Sequence, residues 1–143
     1  MTQADMLMDV PVGARVLVCE DSPVERMGLG VLLRRAGYQI AEVGDGESAV
    51  LELKNGDIDL LLLDLQMPQM DGFDVLGYVQ NHRPRLPVIL LSGMALDQIQ
   101  LKMHNLPTQE LPPLLIKPLD PGQLLQVVEL QLSGGAYLAS SVA

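Results

Sequence analysis

Four apolar runs of this chain each end on residues able to do chemistry: Cys19-Glu20-Asp21-Ser22, Leu63-Asp64-Leu65, Leu91-Ser92-Gly93 and Ile116-Lys117-Pro118. If the runs are neighbouring strands of a parallel sheet, their C-terminal ends lie side by side. Three carboxylates, a hydroxyl and an ammonium then converge in one crevice. That set of donors and charges suits a divalent cation and a phosphoryl group.

The elements that would position these residues can be read from patterning. Residues 15–19 form a compact β-branched run. Ser22-Pro23-Val24-Glu25 then supplies an N-cap, a proline at the first helical position and a glutamate spaced to close a capping box. The spacing of Met27, Val31 and Leu32 predicts the buried stripe of this first helix, and Gly37 supplies a left-handed stop. Residues 38–43 read as a second strand, and Asp45 opens a second helix that Asn55-Gly56 ends. The unbroken apolar run at 58–63 predicts a strand buried on both faces, hence the central one. A turn-rich loop, 66–72, leads to a helix at 73–82 and a fourth strand at 88–91. Leu96, Ile99, Met103 and Leu106 step as a helix's buried stripe should, up to Pro107. Pro112 and Pro113 precede the last strand, 114–116, and place it at a sheet edge. Asp120-Pro121-Gly122-Gln123 caps a final helix running to Leu132. Strand and helix alternate five times, which predicts an α/β domain with a parallel sheet, helices on both faces and right-handed crossovers.

Composition narrows the function. The 143 residues suit one domain, and a formal charge of −9 with only Lys54, Lys102 and Lys117 as lysines argues against direct nucleic-acid binding. Cys19 is the single cysteine, so no disulfide forms within the chain, and its place in an apolar run reads as a small buried hydrophobe. Residues 1–10 carry acids and no basic leader, and no apolar stretch reaches the roughly 18 residues of a membrane span. No membrane role and a cytoplasmic location are the expectation. The domain is expected at 14–132, after a flexible leader at 1–13 and before a flexible tail or truncated linker at 133–143.

From about residue 14 to residue 132 the chain resembles the receiver domain of two-component response regulators. The resemblance rests on Glu20-Asp21, on Asp64 followed by Met67-Pro68 and Met70-Asp71-Gly72, on Ser92 before a small residue, and on Lys117-Pro118. It implies a single doubly wound (βα)5 domain, flavodoxin-like, with a five-stranded sheet of order 2-1-3-4-5. It also implies a phospho-accepting signalling module, not a turnover enzyme, that takes a phosphoryl group from a histidine kinase or a histidine phosphotransfer protein. Asp64 is then the nucleophile and yields an acyl phosphate. Mg²⁺ offsets the repulsion between carboxylate and phosphoryl group, with Asp21 and Asp64 as direct ligands. The backbone carbonyl of Gln66 is the implied third ligand, and Glu20 acts through a metal-bound water. Lys117 and Ser92 stabilise the developing phosphoryl charge.

Each residue also has a plainer reading. An aspartate at a strand end commonly caps a helix or forms a turn, and Glu20-Asp21 could serve the dipole of the following helix. Ser22 already caps that helix, so the acidic pair points to a metal. A serine after a strand is ordinary, which makes Ser92 the least specific member. Asp71-Gly72 reads as turn and helix entry, and His82 and His104 as solvated helix-end residues.

Two departures from the family pattern bear on output. Leu114 stands where the family carries an aromatic that reports phosphorylation, and the stretch from Ser92 to Lys117 is longer than usual, with 105–113 replacing a short turn. Two alternatives remain beside the signalling receiver. An aspartyl-phosphate phosphatase of the dehalogenase type also uses an aspartate at a strand end with Mg²⁺, but wants a second acid where this chain has Gln66. A receiver-like interaction module without phosphate turnover would have lost a site residue, and none is lost.

Overall fold

The computed structural model describes residues 13–67, 71–93 and 112–134. Five strands are found among the described residues: β1 (Arg15–Cys19), β2 (Gln39–Val43), β3 (Leu60–Asp64), β4 (Val88–Ser92) and β5 (Leu114–Ile116). Four helices are found among the described residues: α1 (Pro23–Arg35), α2 (Gly46–Asn55), α3 (Gly72–His82) and α4 (Pro121–Leu132). The strands form one parallel sheet of order β2-β1-β3-β4-β5, as expected, with β3 central and the proline-led β5 at an edge. The helix expected around 96–106, most of the leader and most of the tail lie outside the described residues.

Side-chain alternation along the strands builds two cores. Leu17, Leu61, Leu63 and Leu90 pack on one face with Ala49 and Leu53 of α2 and Phe73 and Val79 of α3. Val16, Val18, Leu60, Leu62, Leu91 and Leu115 pack on the other with Leu29 and Leu33 of α1 and Leu124 and Val127 of α4. The period of two decides where the chemistry falls. Glu20 follows Val16 and Val18, Asp64 follows Leu60 and Leu62, and Lys117 follows Leu115. All three therefore emerge above the face covered by α1 and α4.

Ser22, Asp45, Asp71 and Asp120 each cap a helix by accepting a backbone N–H three residues on. Gly37 has φ of +100°, the expected left-handed stop, whereas Gly56 ends α2 in an extended conformation. Two expectations for α1 are corrected. Glu25 does not reach back to close a capping box, because its carboxylate lies 3.2 Å from Lys117, and the Ser22 N–H donates to Glu20 instead. The buried stripe is Leu29, Gly30 and Leu33, while Met27 and Val31 are exposed. Apolar residues lie all round this helix, so periodicity left its phase open, and packing on Val16 and Val18 selects the leucines.

Candidate functional site

The carboxylates of Glu20, Asp21 and Asp64 each offer an oxygen, and these atoms lie within 4.8 Å of one another. Glu20 and Asp64 are about 1% exposed, while Asp21 faces solvent. Asp64 ends β3 in register with Leu91 of β4, which places Ser92 one residue further along the neighbouring strand. Its Oδ1 accepts the Gln66 N–H at 2.9 Å, and its Oδ2 lies 3.5 Å from Lys117 Nζ. Ser92 is fully buried, and its carbonyl accepts the Lys117 N–H at 2.8 Å, tying β4 to the residue that follows β5. The Lys117–Pro118 peptide is cis.

Lys117 is the hub of the charges. Its ammonium lies 3.0 Å from Glu20 Oε2, 3.2 Å from Glu25 Oε1 and 3.5 Å from Asp64 Oδ2. Burial alone would lower its pKa, but the contact with Glu20 and the charges around it raise it. Burial pushes the Glu20 carboxyl up to about 7, reinforced by its hydrogen bond with Asp64 and opposed by Lys117. Asp64 is raised by the same burial, against the Gln66 N–H that favours its charged form. Burial thus disfavours the charged form of both Glu20 and Asp64. Glu25 is held below the usual carboxylate range, chiefly by Lys117. Crowded hard oxygens whose ionisation costs free energy are what a divalent cation relieves, so the three acids fit one.

Three positioning residues escaped the sequence reading. Arg26 Nη1 donates to the Glu20 carbonyl at 2.7 Å and fixes the turn that presents the acidic pair. Glu25 comes from the same first turn of α1, and helical side chains lean toward the helix N-terminus, which here is the crevice. That lean was the available signal. Gly72 is the third. A Cβ there would sit on the Asp64 carbonyl oxygen and the Leu65 Cα, inside van der Waals contact, so α3 approaches the end of β3 only because this residue has no side chain. The expected turn-and-entry role of Asp71 holds as well, since Asp71 and Asp74 form a reciprocal capping box.

Two loops meet through Gln66, whose Oε1 accepts the Gly93 N–H at 3.0 Å. Cys19 is buried with Sγ 3.5 Å from Met67 Sδ, and burial pushes its thiol up to about 12, in keeping with an inert core residue. His82 is exposed at the end of α3 and stacks on Tyr78 at 4.4 Å, while His104 lies outside the described residues.

The model of the response regulator receiver domain matches residues 16–129. The chain belongs to the response regulator receiver family. Receiver domains are signalling modules, which sets aside the dehalogenase-type reading. A gliding motility regulatory protein of Myxococcus xanthus is 40% identical over 83 residues, covering 57% of this chain and 11% of that protein. The transcriptional regulatory protein PdtaR of Mycobacterium tuberculosis is 31% identical over 126 residues, covering 87% of this chain and 60% of that protein. The chain thus spans a minor part of the first relative and about three-fifths of the second. Among solved structures, the signal receiver domain of an HD domain-containing protein from Pseudomonas fluorescens superposes with a TM-score of 0.77 at 26% identity, covering 85% of this chain and 95% of that one. The response regulator TrrA of Thermotoga maritima, in complex with Mg(2+)-BeF, superposes with a TM-score of 0.72 at 26% identity, covering 82% of this chain and 98% of that one. No helix among the described residues of this receiver is long and apolar enough to cross a membrane.

Proposed function

We propose that this receiver accepts a phosphoryl group on Asp64 from a histidine kinase or histidine phosphotransfer protein and transmits the change through the β4–β5 side of the sheet. The observation that carries the reading is the placement of Asp64. It is buried with one oxygen accepting the Gln66 N–H and the other beside Lys117, within reach of two further acids. A carboxylate so fixed can attack phosphorus in line while the P–N bond of a phosphohistidine breaks, its electron pair staying on nitrogen and the imidazole leaving neutral with the proton already on its other ring nitrogen. The Gln66 N–H holds the attacking group in one rotamer. Lys117 answers the charge that develops on the phosphoryl oxygens, and the Ser92 hydroxyl adds a donor at the end of β4.

Asp21, Asp64 and the Gln66 carbonyl would hold Mg²⁺, with Glu20 acting through a water. When bound, the ion supplies charge neutralisation between the acids and the incoming phosphoryl group. TrrA is a receiver solved with Mg(2+)-BeF, which supports the same ion here. Leu114, 7% exposed and packed in the core, has no ring to swing, so the response falls to Ser92 and the residues after it. The net charge of −9 disfavours direct contact with nucleic acid, and a cytoplasmic setting follows from a kinase donor.

Intact-mass measurement after incubation with acetyl phosphate, with and without Mg²⁺, tests the proposal. One added phosphoryl group only with Mg²⁺ is expected. No added mass under either condition would overturn it.

A further inference from the structure

The ammonium of Lys117 has three N–H donors, and three carboxylates stand around it: Glu20 at 3.0 Å, Glu25 at 3.2 Å and Asp64 at 3.5 Å. An oxygen of a group attached to Asp64 can reach this ammonium only if one partner yields. The three are not equal. The Glu20 and Asp64 side chains are 1% and 2% exposed, so neither can turn to water, whereas Glu25 is 51% exposed and recovers hydration when it leaves. Glu25 comes from the first turn of α1 and belongs to neither the acidic pair nor the β3 end. A cavity of about 360 Å³, lined by Gly28, Leu29, Leu32 and Leu124 beside Glu25 and Lys117, gives its side chain room to move.

We infer that Glu25 is a displaceable counter-ion of Lys117: it holds the ammonium in place before phosphorylation and competes with the phosphoryl group for it. The inference rests on the proposed acceptor role of Asp64. Two effects of its charge add. Glu25 must be released before Lys117 serves the phosphoryl oxygens, and a carboxylate at this position repels an incoming anion. Both weaken binding of anionic groups at Asp64, and both vanish when the charge is removed. Glu25 is thus a positioning residue that sets how readily the site accepts small anionic phosphodonors.

The test is isothermal titration calorimetry of beryllofluoride, at fixed saturating Mg²⁺, into the parent chain, Glu25→Gln and Glu25→Asp. Glu25→Gln keeps the length of the side chain and the backbone N–H that Ser22 caps, and its folding is checked by thermal melting. The expected result is tighter binding to Glu25→Gln by about two- to fivefold, the range of a half-exposed ion pair. Glu25→Asp, which keeps the charge but shortens the reach, should fall between the two. The gain for Glu25→Gln should shrink at 0.5 M salt, on the order of a Debye length of about 4–5 Å. Equal or weaker binding to Glu25→Gln, with the parent binding normally, overturns the inference alone. No binding to the parent overturns the acceptor reading and this inference with it.

Discussion

Replacing Gly72 with alanine adds a single methyl group, yet it should damage both the fold and the site. The added carbon would meet the Asp64 carbonyl oxygen, the Leu65 Cα and the Asp64 carbonyl carbon, all backbone atoms that cannot rotate aside. Relief requires α3 to back away from the end of β3. That helix carries Phe73, Val75, Leu76 and Val79 into the core, so its retreat loosens packing along its length. Overpacking of this kind costs about 1–3 kcal/mol. At about 4 °C per kcal/mol for a domain of this size, the melting temperature should fall by roughly 4–12 °C. Gly28→Ala provides the contrast. It lies inside α1 with nothing within 4 Å of the added carbon, so alanine's helix preference acts unopposed and should stabilise by about 0.5–1 kcal/mol. Urea denaturation of the two variants beside the parent gives both signs in one experiment. If Gly72→Ala proves as stable as the parent, the close approach of α3 to Asp64 is not what fixes the nucleophile.

Further outcomes follow from the same geometry. Glu20 has a folded-state pKa of about 7 against an ordinary 4.5, so between those values the folded chain binds more protons than the unfolded one. Stability in the presence of a chelator should therefore fall as pH rises through that window, with Asp64 acting in the same direction. Urea melts from pH 5 to 8 check this, and Glu20→Gln should flatten the slope. An unchanged slope in that variant would locate the proton elsewhere. Gln66→Ala removes the acceptor of the Gly93 N–H, so exchange of that amide, followed by NMR, should quicken by up to about fivefold. An unaltered rate would mean the two loops are not tied there. Glu20→Gln should weaken Mg²⁺ binding by about tenfold, and Asp21→Asn by more, because the first is placed behind a water and the second against the ion. Calorimetric titration giving equal losses would contradict that order.

The strand ends were legible in sequence because a parallel sheet leaves little freedom. Once 58–63 is recognised as buried on both faces, Asp64 must project from the C-terminal edge, and side-chain alternation brings Glu20 and Lys117 to the same face. The edge position of β5 was written in Pro112 and Pro113, which cannot donate to a neighbour. Other features depend on contacts between elements far apart in the chain. The phase of α1 could not be fixed, since Val24, Met27, Val31 and Leu33 lie on different sides of one helix and only the sheet selects among them. Glu25 has the spacing of a capping-box partner, but an ammonium 92 residues later in the chain competes for it and wins. Gly72 reads as an ordinary turn residue until the backbone of Asp64 is seen pressed against it.

The central claim is that Asp64 carries the phosphoryl group. Its most direct test is to incubate the chain with acetyl phosphate and Mg²⁺, reduce the product with borohydride, and map the peptides by mass spectrometry. An acyl phosphate on aspartate is reduced to homoserine, so the account predicts homoserine at position 64 and no conversion in Asp64→Asn, which keeps the size of the side chain but lacks its nucleophilic charge. Homoserine at another aspartate, or phosphoryl uptake by Asp64→Asn equal to that of the parent, would contradict it.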